Sequence, residues 1–255
     1  MKKVFFLFAV VIFACSEPNQ TVESNLEESG PPKKGNQPLE QYVDRMVRAQ
    51  LKIQANEKFI LEIHKAQLNE DGIEDAVVTI NRLDFAIQQA AASPNPAKRA
   101  ELGYMGNFNY FFFFDGKLDM LSPPIAIPSS PLLPLTVNFE NISSEQYKDI
   151  LIDFRIRNAN YKDFYTISNH TPRRIFQFKN FDGLGTDQNE AYHFEFGAGS
   201  YGPQKNIFVM EGKLENLPKG ADKNTYIPRI QPIEKIKYTF FYLAQEGKYA
   251  TKDSK

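Results

Sequence analysis

Short apolar runs separated by turn-rich segments constrain the fold of this chain more than any other feature. The runs are rich in β-branched and aromatic residues, and segments such as NFDGLGTDQNE and GAGSYGPQK separate them. Runs of this composition, bounded by Gly, Asn and Asp, are typical of β-strands. In the second half of the chain the pattern predicts strands at residues 135–141, 149–156, 163–168, 173–178, 191–196, 206–214 and 235–243.

The first half of the folded part adds one helix and further strands. Leu39, Tyr42, Val43, Met46 and Val47 recur at helical spacing after a proline, which predicts an amphipathic helix over 38–54. Strands are predicted at 58–66 and 76–80, and a loop or a short helix with a loop within 88–106. The overall expectation is a mainly β fold of antiparallel sheets, arranged as a sandwich or a partial propeller, with one N-terminal amphipathic helix.

The segment NYFFFFDGKLDML predicts a hairpin. Asp115-Gly116 separates its two apolar runs, and this dipeptide favours tight hairpin turns. The run Tyr110 to Phe114 suits a strand that is buried on both faces. The next segment, SPPIAIPSSPLLPLT, contains too many prolines for a central strand and is expected at a sheet edge or on the surface.

The chain opens with MKKVFFLFAVVIFACSEPN, in which two lysines precede an unbroken apolar run from Val4 to Ala14. The run has the length of a signal-peptide hydrophobic region and is too short to span a bilayer as a helix. The motif IFAC at residues 12–15 resembles the lipobox of bacterial lipoprotein signals, with an unusually bulky Phe13. The resemblance implies cleavage before Cys15 and acylation of that cysteine. The alternative is an ordinary secretory signal or N-terminal anchor with an incidental cysteine.

Further features agree with lipidation. Cys15 is the only cysteine in 255 residues, so it cannot form an internal disulfide. Ser16 resembles the residue that follows the cysteine in lipoproteins destined for the outer membrane. Residues 16–37 are polar and predict a flexible tether. We expect a signal peptide at 1–14, the acylated cysteine and tether at 15–37, and a β-rich globular domain at 38–255, on either face of the outer membrane.

Composition excludes some partners. The chain has 30 Lys and Arg against 31 Asp and Glu, and signal cleavage would remove two of the lysines. This mildly acidic balance argues against a nucleic-acid partner. The chain has 12 Tyr and 22 Phe but no Trp, which weakens a lectin interpretation and leaves Tyr platforms open.

The stretch QLNEDGIEDAVVTI, which begins at Gln67, places oxygen-bearing side chains at alternate positions before a β-branched run. Its candidate cation ligands are Gln67, Asn69, Asp71, the Ile73 carbonyl and Asp75. An EF-hand would need a bidentate Glu at the twelfth position, which is Val78, and a helix after the loop. The EF-hand interpretation therefore fails.

The stretch resembles the DxNxDGxxD loop of FG-GAP and VCBS-type repeats, in which a loop between two strands holds calcium. The resemblance covers about fifteen residues and departs at Gln67, where the repeats have Asp. With two carboxylates remaining, we expect a dissociation constant on the order of 10⁻⁴ to 10⁻³ M for Ca²⁺. The alternative is a tight turn at Asp71-Gly72 with solvated acids.

A weaker copy of this pattern follows 74 residues later in NISSEQYKDILIDF. Asn141, Ser143, Glu145 and Asp149 take the ligand positions, whereas Gln146 replaces the glycine. The alignment suggests two related strand-loop-strand units and a second, less favourable metal site.

The remaining chemical motifs are weak, so no catalytic residue is assigned. None of His64, His170 and His193 lies in a zinc-binding motif. His193 and Glu195 share a strand face, where a cross-strand polar pair is expected and a functional site is the alternative. GAGSYG at 197–202 matches GxGxxG, but a predicted strand follows it, so a hairpin connection is expected.

Three functions remain open on the sequence alone. The favoured one is a membrane-tethered lipoprotein with a β-rich binding or scaffolding domain, steadied by calcium, with an envelope protein or glycan as partner. The second is a hydrolase of envelope or extracellular polymers, which requires five side chains to meet in one cleft: Asp182, Asp187, Glu190, His193 and Glu195. The third is an envelope assembly partner, which would present an apolar patch or an open sheet edge.

Overall fold

Alternating side chains on short strands produce two antiparallel sheets, one of which is covered by a helix. The computed structural model of the chain describes residues 32–95, 97 and 106–251. These residues contain helices α1 (Leu39–Leu51) and α2 (Leu83–Ala92) and thirteen strands. The strands are β1 (Ile60–Ala66), β2 (Asp75–Asn81), β3 (Gly106–Asp115), β4 (Met120–Leu121), β5 (Ile125–Ser129), β6 (Thr136–Glu140), β7 (Asp149–Ile156), β8 (Ala159–Ser168), β9 (Thr171–Asp182), β10 (Glu190–Gly197), β11 (Asn206–Leu214), β12 (Ile230–Leu243) and β13 (Lys248–Ala250). The predicted mainly β fold of antiparallel sheets with an N-terminal helix is confirmed.

The first sheet has the order β1-β2-β3, and the far side of β3 pairs with β5 along one half and with β4 along the other. Strand β5 contains Pro128, beside an irregularity in its pairing with β3. Proline cannot donate a ladder hydrogen bond, so this position agrees with the predicted edge location.

The second sheet is a meander in which each strand from β6 to β13 pairs with the next along the chain. The described pairing of β9 with β10 comprises two residue pairs at one end, Phe181 with Ala191 and Asp182 with Glu190. Beyond them the strands diverge, and the sheet folds back over itself. Phe176 of β9 lies 4.6 Å from Phe240 of β12 between ring centroids.

Strand β3 lies at the centre of the layered part. Its Phe112 and Phe114 pack with α1 residues such as Tyr42, whereas Phe111 and Phe113 pack against β7 and β8 of the second sheet. Successive side chains of a strand point to opposite faces, so this run of phenylalanines serves two cores. The predicted strand buried on both faces is confirmed.

Strand β7 repeats this arrangement in the second sheet. Ile150, Ile152 and Phe154 face the first sheet, whereas Leu151 belongs to the core inside the folded second sheet. The alternation also turns Asp153 to that inner side. This inner side contains a cavity of about 590 Å³.

Several strands are longer than the sequence predicted. Strand β8 begins at Ala159, β9 continues to Asp182, and β12 begins at Ile230. Polar residues at these ends interrupt the apolar pattern while the main chain stays paired. Helix α2 begins at Leu83, before the predicted loop, because LDFAIQQAAA consists largely of good helix formers.

The hairpin at Asp115-Gly116 is confirmed, with a different reason for its glycine. The left-handed residue of the turn is Asp119, with φ 59°. A Cβ on Gly116 would lie 2.2 Å from the carbonyl oxygen of Glu74. Glycine is therefore required because the β3–β4 turn packs against the β1–β2 loop.

The first described residues contact this same turn. Lys34 N–H donates to the Asp119 carbonyl at 2.9 Å, Gly35 N–H donates to Asp119 Oδ2 at 2.7 Å, and Tyr42 Oη donates to the Pro32 carbonyl at 2.9 Å. Residues 32, 34 and 35 belong to the segment that the sequence assigned to the tether, and they form hydrogen bonds with the globular domain. Cys15 and the predicted signal peptide lie outside the described residues. No helix within the described ranges is long and apolar enough to cross a membrane.

Candidate functional site

The β1–β2 loop is closed by its own hydrogen bonds. Asn69 Oδ1 accepts from the Asp71 N–H at 2.9 Å, and Asp71 Oδ1 accepts from the Ile73 N–H at 2.8 Å. Asp75 is buried at the start of β2, where Oδ2 accepts from the Leu68 N–H at 3.2 Å and Oδ1 from the Gly116 N–H at 2.9 Å. Burial raises the pKa of the Asp75 carboxyl to about 6.

These contacts fit a calcium site poorly. Calcium binds six to eight oxygen ligands, whereas both Asp75 oxygens already accept main-chain N–H groups. Among the described residues, one buried oxygen of the candidate carboxylates has no hydrogen-bond partner, and this oxygen is Asp71 Oδ2. No group of three His, Cys, Asp or Glu residues in residues 32–95, 97 and 106–251 could hold a metal ion. The calcium hypothesis remains a prediction, and the loop is closed without a metal.

The β6–β7 loop is closed in the same way around Asp149. Asp149 Oδ2 accepts from the N–H groups of Ile142 at 3.1 Å and Ser143 at 2.6 Å, and Ser143 Oγ donates to Oδ1 at 2.6 Å. Asn141 Nδ2 donates to the Glu145 and Tyr147 carbonyls. Burial raises the pKa of Asp149, although its hydrogen bonds oppose this. Asp149 and Ser143 are thus hydrogen-bonded within the loop itself, and Asn141 contributes its side-chain N–H₂ group to the same loop.

A groove on the inner side of the second sheet is the best candidate for a binding site. It has a volume of about 590 Å³. One side is formed by β6 to β9, the other by aromatic residues of β10, and the segment around Ile227 and Pro228 adds a further part of the lining. Ligand sites in proteins are typically concave, of this size, and mostly apolar with a few converging polar groups.

The floor of the groove is a polar network that spans four adjacent strands. Asp153 and Lys162 are direct cross-strand partners, and Lys162 Nζ donates to Asp153 Oδ2 at 2.7 Å. Asn180 Nδ2 donates to Asp153 Oδ1 and to Asn160 Oδ1. Asn138 Nδ2 lies 3.5 Å from Asp153 Oδ2. The Asp153 carboxylate is the central acceptor of this network and fixes the orientation of the donating side chains of Lys162 and Asn180.

The ion pair is held away from bulk water. The side chains of Lys162 and Asp153 are 13% and 17% exposed. Their charges cancel, and Glu140 and Arg155, which also line the groove, carry opposite charges, so the groove has no net charge from its acidic and basic residues. A neutral floor of this kind selects ligands by hydrogen bonding more than by long-range attraction.

Arg155 secures one end of the groove. Burial lowers the pKa of its guanidinium to about 10, which leaves it charged at neutral pH. Its donors go to the carbonyls of Arg157 and Lys223, and its Cζ lies 4.7 Å from the Phe181 ring centroid. Arg155 thereby holds the β11–β12 connection, which carries Ile227, against the sheet.

The opposite wall is aromatic. Tyr192, Phe194 and Phe196 share one face of β10 and line the groove. Phe194 contacts the core ring of Phe164 at 5.5 Å in an edge-to-face arrangement. Phe194 and Phe196 are half-buried, so the aromatic core extends to the groove surface.

The five residues of the hydrolase hypothesis do not all line this groove. His193 lines it, and its Nε2 lies 3.6 Å from Glu195 Oε1 within the same strand, whereas the sequence predicted a cross-strand polar pair. Glu190 is hydrogen-bonded to Lys179 and Tyr192, Asp182 lies 3.7 Å from Lys179, and Asp187 lines a separate cavity between loops.

The other two histidines lie outside the groove. The Nε2 of His64 lies 3.5 Å from Glu62 Oε2, and the Nδ1 of His170 lies 2.6 Å from Asp115 Oδ2.

Sequence reasoning missed the groove floor. A usable signal was present in DILIDFRI, where one strand face reads Asp149, Leu151, Asp153 and Arg155. Three charged residues on one face of a strand whose other face is apolar indicate an inward polar network. The partners of Asp153 on β8 and β9 carry no such signal.

Comparison with known proteins gives no family assignment. No family model, curated protein or solved structure matches the chain.

Proposed function

We propose that the chain is a lipid-anchored, extracytoplasmic binding protein of the bacterial outer membrane, and that its ligand lies in the groove of the second sheet. The observation that carries the binding function is the juxtaposition of the Asp153-centred floor with the aromatic wall of β10. The lipobox-like motif at Cys15 supports the anchor. A hydrolase is the alternative, and a set of converging acids would be needed to favour it.

Several features of the groove support binding. Its floor side chains are already held by one another, so a ligand would meet groups that lose little freedom on binding. Preorganisation of this kind reduces the entropic cost of association. The half-buried rings of Phe194 and Phe196 provide apolar surface that a ligand would remove from water.

The anchor is tested by metabolic labelling in a bacterium with an alkyne-bearing fatty acid. We expect the full chain to carry the label and to fractionate with membranes, because acyl chains bind bilayers. The Cys15→Ser chain should lose the label and accumulate as the uncleaved precursor. Equal labelling of both chains would contradict the proposed anchor.

Groove binding is tested with a tryptophan reporter, since the chain has no natural Trp. Ile227 lines the groove and is 75% exposed, so Ile227→Trp places a fluorophore at its rim. Ile87 on α2 is 46% exposed and provides the matched control, Ile87→Trp. We would titrate both with neutral glycans, charged glycans, peptides and acyl lipids. At least one class should change the fluorescence of the Trp at 227 but not at 87. If none does, the binding function fails.

A further inference from the structure

We infer that the ligand of the groove is a neutral glycan. This inference rests on the proposed binding function and specifies the chemical class that the groove recognises. It is carried by the arrangement of Asp153, Lys162, Asn160 and Asn180 opposite Phe194 and Phe196.

The charge of the floor argues against an ionic ligand. Lys162 and Asp153 neutralise each other, so an anion gains little net attraction from Lys162 and a cation gains little from Asp153. An ionic ligand that broke this partly buried pair would leave one charge uncompensated, which is unfavourable. The guanidinium of Arg155 already binds two carbonyl groups. A neutral ligand leaves all of these pairs in place.

The hydrogen-bonding inventory favours hydroxyl groups. The floor combines amide side chains, which both donate and accept, with an ammonium that has three N–H donors, one of which binds Asp153. A hydroxyl group can both donate and accept a hydrogen bond. Several hydroxyls on one rigid ring can therefore match the donors and acceptors of the floor, whose positions are fixed. An acyl chain would instead cover these polar groups without bonding them, which is unfavourable.

The aromatic wall completes the match. The face of a Phe ring carries partial negative charge, and the C–H groups on the face of a sugar ring carry partial positive charge. A sugar ring between floor and wall would direct its hydroxyls to Asn160, Asn180 and Lys162 and one of its faces to Phe194 or Phe196. The volume of about 590 Å³ accommodates a short oligosaccharide rather than a polymer domain.

A neutral peptide is the competing ligand class. Extended peptides are bound chiefly through main-chain hydrogen bonds to a sheet edge. The groove instead presents the face of β7 to β9, where side chains provide the polar groups. This arrangement favours a ligand whose own polar groups radiate from a ring.

The test uses the Ile227→Trp and Ile87→Trp full chains with neutral oligosaccharides of glucose, mannose, galactose and N-acetylglucosamine units. Uncharged peptides and lysophospholipids serve as comparators. At least one neutral oligosaccharide should give saturable binding at the Trp at 227 only. In the Ile227→Trp background, Phe196→Leu should then weaken binding about five- to tenfold, since it keeps apolar bulk but removes the ring.

A second variant keeps the test informative if Phe196→Leu perturbs folding. Asn138 is exposed at the groove margin, so Asn138→Ala should fold normally and weaken glycan binding about three- to tenfold through a lost neutral hydrogen bond. Far-UV circular dichroism and thermal unfolding check both variants. Binding of peptides or lysophospholipids alone at the Trp at 227 would overturn the glycan inference and leave the binding function standing. No binding by any of the classes titrated here or by the charged glycans of the first test would overturn both.

Discussion

The main-chain N–H of Leu68 donates to Asp75 Oδ2, seven residues later, and Ile142 stands in the same relationship to Asp149. The two N···O distances are 3.2 Å and 3.1 Å. In both hairpins the aspartate is the first residue of the second strand, and it pairs with the last residue of the first, Ala66 or Glu140. The two strand-loop-strand units suggested by the sequence therefore share one geometry.

The loops also lie against each other. The Lys148 N–H of the β6–β7 loop donates to the Gln67 carbonyl of the β1–β2 loop at 2.9 Å. The β3–β4 turn adds the Gly116 N–H to Asp75. The buried aspartates thus hold the β1–β2 loop, the β6–β7 loop and the β3–β4 turn through hydrogen bonds from main-chain N–H groups.

Replacement of Asp149 by Asn should destabilise the fold strongly. The carboxylate accepts two main-chain N–H groups and the Ser143 hydroxyl in a fully buried position. An amide has one acceptor oxygen in place of two, so its N–H₂ group would face the Ser143 hydroxyl, which would have to turn and accept, and the two N–H groups would lose a carboxylate acceptor. We expect Asp149→Asn to lower the free energy of unfolding by about 2–3 kcal/mol, measured by urea denaturation.

The matched control for Asp149 is Glu145→Gln in the same loop, because Glu145 is exposed. This change should alter the free energy of unfolding by less than about 0.5 kcal/mol. Equal effects of the two substitutions would show that the buried carboxylate does not hold the loop.

The raised pKa of Asp75 predicts a particular pH dependence. Burial, reinforced by Asp115 and Asp71 and opposed by two main-chain hydrogen bonds, raises this pKa from 3.8 to about 6. The folded state therefore binds the proton more tightly than the unfolded chain does. The resulting stabilisation is complete below the unfolded pKa and is lost as the pH rises through about 6.

The effect of Asp75 is isolated by subtracting the free energy of unfolding of Asp75→Asn from that of the natural chain. Asp149 and Asp163, whose pKa values burial also raises, titrate in both proteins and largely cancel. The difference should decrease as the pH rises from about 4 to about 6 and then level off. A difference that is constant over this range would contradict the raised pKa.

The hydrogen bonds of the β1–β2 loop and the FG-GAP-like interpretation predict different effects of calcium, and the hydrogen bonds predict that calcium leaves the stability of the folded chain unchanged. The side-chain oxygens of the β1–β2 loop largely accept main-chain N–H groups already, as described above for Asn69, Asp71 and Asp75. A ligand that binds only the folded state must raise the unfolding midpoint once its concentration passes the dissociation constant. We therefore expect equal thermal midpoints in millimolar calcium and in chelator.

The FG-GAP-like interpretation predicts the opposite result in the same experiment. If calcium raises the midpoint and Asp71→Asn abolishes the rise, Asp71 is a ligand and the loop rearranges around the ion. If the rise persists in Asp71→Asn, the calcium binds elsewhere.

The sequence was most informative where one strand face is apolar. Strands β7 and β11 have the bounds that alternation predicted, because burial on at least one face fixes the pattern and the register. The helix prediction over 38–54 exceeded α1 at its far end, where Lys52 takes a left-handed conformation with φ 52°. No residue type forces such an end, so spacing alone could not locate it.

The groove was not predictable from local patterns. Asp153, Lys162 and Asn180 are neighbours on three adjacent strands, and the aromatic wall of β10 faces them because the sheet folds back beyond the short β9–β10 pairing. The sequence contains the two turn-rich segments around β10 but does not specify the angle between the strands. The site is therefore a property of the tertiary fold, whereas the loop residues 67–75 are a local motif.

The ion pair between Glu57 and Arg82 provides the last prediction. Both side chains are buried, and the guanidinium binds the carboxylate through two hydrogen bonds of 2.7 and 2.8 Å. The main-chain N–H of Arg82 also donates to the Phe108 carbonyl, which joins the start of α2 to β3.

Glu57→Ala should lower the free energy of unfolding by about 3–5 kcal/mol, because it leaves a buried guanidinium unpaired. Glu57→Leu combined with Arg82→Met should cost less, since no charge then stays buried. Asp44→Ala, which breaks the partly exposed pair with Arg48 on α1, is the control and should cost less than about 1 kcal/mol. Urea denaturation measures the free energy of unfolding of the three variants. A double variant less stable than Glu57→Ala would mean that the packing around Arg82, and not its charge, determines the loss of stability.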